Sequence, residues 1–281
     1  MTALLSLIQW LSPAFPTGGY AYSHGLEQAV VDGSLTDAPS LRHWLEDILT
    51  HGSGRQDAIL LACALRPDAD QLDTAAALAD EFSAGETRVT HDQNLLLPWV
   101  RAEDLPALWV AASHAGLARS NVRLLTDMIA CPGGDFCALA NARSIPIAAQ
   151  ITERYQDMDE LHDLGEIDLH ISGCINSCGH HHSGHIGILG VDKDGQEWYQ
   201  VTLGGSDGTR LSGEAVPGKV IGPSFAANEM VDVIEALLTT YRAERQTAET
   251  FTQTVKRVGI DPFKTAANAV RVATARTPVA A

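Results

Sequence analysis

Four of the chain's five cysteines fall in two short pairs, Cys131-Pro-Gly-Gly-Asp-Phe-Cys137 and Cys174-Ile-Asn-Ser-Cys178. Four thiolates drawn from two loops suit a tetrahedral zinc site or a cubane iron–sulfur cluster, because both need soft, anionic sulfur held by backbone that turns sharply. Gly133, Gly134, Gly173 and Gly179 stand between or beside the cysteines, where side chains would keep backbone amides from approaching sulfur. Spacing separates the two metals. Structural zinc favours roughly two to four residues between ligands, whereas the loops here hold five and three, so iron–sulfur is the better reading. Buried core cysteines or disulfides are the alternative; clustering, flanking glycines and the lack of a secretory signal weigh against it.

The 281 residues suffice for two modest domains, each able to bury a core. With 19 Lys plus Arg against 35 Asp plus Glu, the net charge of −16 argues against a nucleic-acid surface. The apolar run Leu4–Leu11 follows no Lys or Arg and is too short to span a bilayer. No membrane partner and a cytoplasmic setting are therefore expected, and such a setting suits oxygen-sensitive thiolates.

The first 72 or so residues read as helical. Leu41, Trp44, Leu45, Ile48 and Leu49 recur at helical spacing, with Asp37 or Ser40 as the cap. Upstream, a helix over Leu4–Leu11 ends at Ser12-Pro13, and residues 13–25 form a Pro/Gly loop rich in aromatics. Tyr20, Tyr22 and His24 in that loop read as packed, hydrogen-bonded side chains rather than a metal site, and Cys63 as a small buried hydrophobe. Ala75–Phe82 is helical, Gly85–His91 begins an alternating strand pattern, and Asp104–Gly116 reads as a helix closed by glycine. Beyond Cys131 the pattern is α+β. A helix is expected over Ala138–Glu153, interrupted by Pro146, then a strand over Ile167–Ile171 leading to the second cysteine pair. Ile186–Val191 and Trp198–Leu203 flank Lys193-Asp-Gly195 as a hairpin; Met230–Arg242 is an amphipathic helix, and residues 271–281 a loose tail.

Cys-x5-Cys followed about 40 residues later by Cys-x3-Cys resembles the cluster motif of the sirohaem nitrite and sulfite reductases. The likeness extends to Thr90–Pro98, Leu139–Pro146, Ile171–Gly190, Tyr199–Gly205, Gly218–Pro223 and Val258–Lys264, and matches the C-terminal half of the sulfite reductase haemoprotein. Behind a partial all-helical segment (1–75), this resemblance implies an α+β fold: part of a ferredoxin-like half-domain (76–120), a nitrite/sulfite reductase 4Fe-4S and sirohaem domain (121–270) and a tail (271–281). It implies a 4Fe-4S cluster on Cys131, Cys137, Cys174 and Cys178, with Cys178 also the axial ligand of the sirohaem iron. Asn176 and Arg143 either face the cofactors or hold the loops. His180, His181, His182 and His185 surround and tune the cluster, contact haem carboxylates, or bind zinc beside it. The implied activity is reduction of sulfite or nitrite with electrons from a flavoprotein or ferredoxin, impaired in the absence of the family's first half. That half carries most of the basic side chains which meet sirohaem and the anion.

A second resemblance begins at the N-terminus. Leu11-Ser-Pro-Ala-Phe-Pro-Thr-Gly-Gly-Tyr-Ala-Tyr-Ser-His-Gly-Leu-Glu27, with Leu35–Ala38 and Leu41–Glu46, is similar to the urease accessory protein UreF over roughly the first 75 residues. The alternative function it implies is an all-helical chaperone that helps accessory partners insert nickel into urease. Its later helices are not expected here, which would leave the Leu41, Trp44, Leu45 and Ile48 stripe exposed.

Overall fold

The structure, a computed structural model, describes residues 26–50, 69–208 and 214–276. The chain divides into two units, Met1–Ala62 and Cys63–Ala281. In the first, helix α1 (Leu26–Val31) and helix α2 (Ala38–Thr50) are joined through Gly33, whose φ of +80° suits a residue without Cβ. Both expected capping residues act on α2: Asp37 Oδ1 accepts from the Ser40 N–H at 2.9 Å, and Ser40 Oγ accepts from the Asp37 N–H at 3.1 Å. The expectations for Leu4–Leu11, Tyr20, Tyr22, His24, Cys63 and the side chains of Leu45, Ile48 and Leu49 lie outside the described residues.

The second unit opens with α3 (Ala69–Phe82), which buries Ala75, Leu78 and Ala79. A two-stranded antiparallel ribbon follows, β1 (Arg88–Val89) with β2 (Leu95–Leu96). Next comes α4 (Leu105–His114), packed on α3. As expected, a glycine ends α4. Gly116 turns at φ +69° and donates to the Ser113 carbonyl.

The remaining strands form one sheet in the order β3 (Ile129–Ala130), β4 (Leu169–Ser172), β5 (Ile186–Lys193), β6 (Gln196–Leu203) and β7 (Lys219–Val220), with β8 (Phe225–Ala226) also on β6. β3, β4 and β5 run parallel, and the rest pair antiparallel. Parallel neighbours need crossover connections of about a dozen residues or more. Each cysteine pair lies in such a crossover, Cys131 directly after β3 and Cys174 two residues after β4. The expected hairpin forms in full, with Lys193 opposite Gln196 and Asp194 and Gly195 at φ +56° and +74°. Two successive positive φ values match the right-handed twist of the strands they join.

Helices α5 (Ile145–Arg154) and α6 (Met158–Leu164) connect β3 to β4; α7 (Met230–Glu244), α8 (Phe251–Val258) and α9 (Asp261–Arg276) complete the unit. Met230, Val233, Ile234, Leu237, Leu238 and Tyr241 of α7 are buried at helical spacing among α5, α8 and α9. They join Ile171, Ile186, Ile188, Val201 and Leu203 of the sheet in the main core.

Two expectations need correction. Residues 138–144 are not helical, and Pro146 begins α5 rather than interrupting it. Proline is favoured in a first turn because its missing N–H is one that a helix start leaves unpaired. The backbone of 138–144 is instead held by the second cysteine loop, Asn141 and Ala142 both donating to the Gly173 carbonyl. Residues 271–276 are also no tail. They continue α9, whose Phe263 and Ala267 are fully buried.

Candidate metal centre

The two cysteine loops are zipped to each other where β3 and β4 end. The Cys131 N–H donates to the Ile171 carbonyl at 3.0 Å, carrying the β3–β4 pairing one residue further. The Gly173 N–H donates to Cys131 Sγ at 3.0 Å, and Ser144 Oγ stands 3.4 Å from the same sulfur. A turn over Gly133–Asp135 then folds the first loop back, with the Cys137 N–H donating to the Gly133 carbonyl at 2.9 Å. In the second loop the Ser177 N–H donates to the Cys174 carbonyl, and the Gly179 N–H to Ser172 Oγ.

Contact this close depends on two glycines. A Cβ at Gly173 would lie 2.6 Å from the Ala142 carbonyl oxygen and 2.8 Å from Gly133 Cα; one at Gly179 would collide with the Ile171 carbonyl oxygen. All these obstacles are backbone, so no side-chain rotation relieves them.

Cys131 and Cys174 are buried, Cys137 is half-buried and Cys178 is exposed. Burial pushes the Cys178 thiol up, and the nearby Cys131, Cys174 and Cys137 thiols add to the shift. Among the described residues no group of three or more His, Cys, Asp or Glu is gathered tightly enough for a single metal ion. Soft thiolates on two glycine-lined loops are the donor set that an iron–sulfur cluster takes, so donor chemistry and backbone cradle accord with one.

The histidines divide into two sets. His181 is buried, shares a 2.9 Å hydrogen bond with Ser177 Oγ and meets His182 with ring centroids 3.8 Å apart at a tilt of 41°. Burial holds its pKa down to about 4, with smaller contributions from His182 and His170, so the ring is neutral near pH 7. His185 is buried against Asp168, whose N–H donates to Nδ1 at 3.1 Å. His180 and His182 are exposed, and the His180 carbonyl oxygen lies 3.0 Å from His170 Nδ1.

Arg143 is engaged by β6. Its Nε and Nη2 donate to the Glu197 carboxylate at 3.0 and 2.9 Å, its N–H donates to Glu197 Oε1, and its carbonyl accepts from the Tyr199 hydroxyl. These contacts hold the loop, while Asn176 is exposed on the turn beside Cys178. A cleft of about 250 Å³ nearby carries Asp92, Asp127, Asp168 and Asp207 with Arg123 and His170 on its walls. Carboxylates on that scale disfavour an anion there. Ser144, Ser172 and His170 were not singled out from sequence. Ser144 carried a signal, a helix-capping residue type two positions before a proline, hidden by the helix expected across it.

Residues 122–273 match the nitrite and sulphite reductase 4Fe-4S domain, and residues 63–113 the nitrite/sulfite reductase ferredoxin-like half domain. The NirA protein of Mycobacterium tuberculosis superposes with a TM-score of 0.57 at 26% identity, covering 69% of this chain and 36% of NirA. Urease accessory protein UreF of Cereibacter sphaeroides strain ATCC 17029 is 44% identical over 59% of this chain and 81% of its own length. UreF of strain KD131 is 50% identical over 44% of this chain, which spans 63% of that relative. These shares reach further than the first 75 residues on which the UreF resemblance was read. The family implies an iron–sulfur cluster, and no helix among the described residues is long and apolar enough to cross a membrane. With more than half its residues matched, the chain belongs to the nitrite and sulphite reductase 4Fe-4S domain family, and through its N-terminal region to the urease accessory protein UreF family.

Proposed function

We propose that Cys131, Cys137, Cys174 and Cys178 hold a 4Fe-4S cluster, that Cys178 is also the axial ligand of sirohaem, and that the activity is reduction of sulfite or nitrite. The observation that supports the reading is the zipped pair of loops at the ends of parallel β3 and β4, each of which carries two of the four thiols. Ligands in open sheets of parallel strands bind outside the strands' carboxyl ends. Cys178 is the exposed thiol of the four, which suits a sulfur shared with a second iron centre. The two groups, when bound, supply electron storage and a redox-active iron centre. The chain's own contribution is to orient the Cys131 thiol through the Gly173 amide, to tie the first loop to β4 through the Cys131 amide, and to hold that loop through Arg143 and Glu197. Asn176 is assigned to the cofactor side of the turn, and a flavoprotein or ferredoxin is the proposed electron donor.

Anion binding is the weak point of the site. Arg143, Arg154, Arg242, Arg245 and Arg257 are each paired with a carboxylate of this chain, and the net charge is −16. The chain alone should therefore take up sirohaem poorly and turn over slowly. The test is oxidation of reduced methyl viologen by sulfite and by nitrite after reconstitution with iron, sulfide and sirohaem. Slow turnover that requires sirohaem supports the reading, and turnover equal to an intact reductase contradicts the impairment. The UreF likeness favours a second reading, nickel delivery to urease with accessory partners. Nickel-dependent urease activation by the chain, with neither anion reduced, would favour that reading.

A further inference from the structure

Ser144 is fully buried and occupies the N-cap of α5, yet its side chain makes no cap bond. A serine there ordinarily accepts from the second or third helical N–H. Here the second helical residue is Pro146, which has no N–H. Ser144 also holds φ −95° and ψ −38°, helical rather than extended. The hydroxyl is turned to Cys131 Sγ at 3.4 Å, on a sulfur that also accepts the Gly173 N–H at 3.0 Å.

We propose that Ser144 is a positioning residue that, acting through Cys131, sets the reduction potential of the cluster. The inference rests on the cluster assignment above. A thiolate bound to iron carries no proton, so Cys131 can only accept and the Ser144 O–H is the donor. Donation into the sulfur withdraws electron density and favours the reduced, more negative cluster, since hydrogen bonds to sulfur are among the levers that tune such centres. Burial strengthens the effect, because a donor fixed in a low-dielectric site competes with no solvent.

The test uses the full chain, reconstituted anaerobically with iron and sulfide, with the midpoint read by redox titration under electron paramagnetic resonance. Ser144→Ala should shift the one-electron equilibrium about tenfold toward the oxidised cluster, a midpoint lower by about 59 mV, with iron and sulfide content unchanged. Ser144→Thr keeps the hydroxyl and should restore the wild-type midpoint. An unchanged midpoint in a fully loaded Ser144→Ala overturns the role of serine and leaves the cluster assignment standing, whereas wild-type protein without iron and sulfide overturns both. Should Ser144→Ala not load, deuterium exchange of the wild type decides: an exchangeable hydroxyl deuteron coupled to the cluster is expected beside the amide deuterons, and its absence refutes the inference.

Discussion

Replacing Gly173 with alanine places a methyl group 2.6 Å from the Ala142 carbonyl oxygen and 2.8 Å from Gly133 Cα, between the two cysteine loops. Both neighbours are backbone, so the loops must part. Overpacking of this kind costs about 1–3 kcal/mol. Parting them also strains the Gly173 N–H bond to Cys131 Sγ and the bonds from Asn141 and Ala142 to the Gly173 carbonyl, each worth about 1 kcal/mol. The expected total is roughly 4–6 kcal/mol, a large part of a typical stability of about 5–15 kcal/mol. For a unit of this size that lowers the melting temperature by about 8–24 °C. Thermal unfolding followed by circular dichroism, with iron and sulfide measured after reconstitution, reads both consequences. Gly173→Ala should melt early and hold little cluster. A variant that melts within about 2 °C of wild type and loads fully would refute the claim that the loops are held together by backbone contact at this glycine.

Leu237→Ala empties a fully buried position on α7 and should cost about 2–5 kcal/mol in chemical denaturation; a loss below about 0.5 kcal/mol would contradict the packing. At Glu160, burial is the largest influence and pushes the carboxyl up, but the hydrogen bonds and positive charges of Arg242 and Arg154 together outweigh it and leave the pKa lowered. Its stabilisation is therefore complete above the unfolded carboxylate pKa and is lost as pH falls through the lower folded value. Arg242→Gln should reduce that acid-dependent loss, and identical melting profiles between pH 2 and 7 would contradict it. Val31 is 79% exposed, so Val31→Ser should leave the melting temperature unchanged; a large drop would mean that it is covered.

Much of the centre was legible because its signals are local. Cysteine spacing and flanking glycines marked the four candidate ligands, and Asp194-Gly195 named the hairpin turn, since each feature depends on neighbours in sequence. The parallel order of β3, β4 and β5 was not legible, because nothing within a two-residue strand such as Ile129–Ala130 carries a period. β7 and β8 escaped notice for the same reason. Arg143 meets Glu197 across 54 positions of sequence, a pairing that only the folded sheet creates. Pro146 was read as an interruption because proline breaks helix interiors and begins helices with equal ease. Residues 271–276 resembled a tail because they lie near the end of the sequence, but they extend the helix that Phe263 and Ala267 anchor in the core.

The most direct measurement is iron and acid-labile sulfide per chain in anaerobically reconstituted wild type and Cys174→Ser, with absorption spectra of each. Cys174 is buried at the junction of the loops, and a hydroxyl is a poor substitute for thiolate on iron. Wild type should hold about four iron and four sulfide, while Cys174→Ser should hold almost none. Equal iron and sulfide in the two proteins would contradict the assignment of these four cysteines to one cluster.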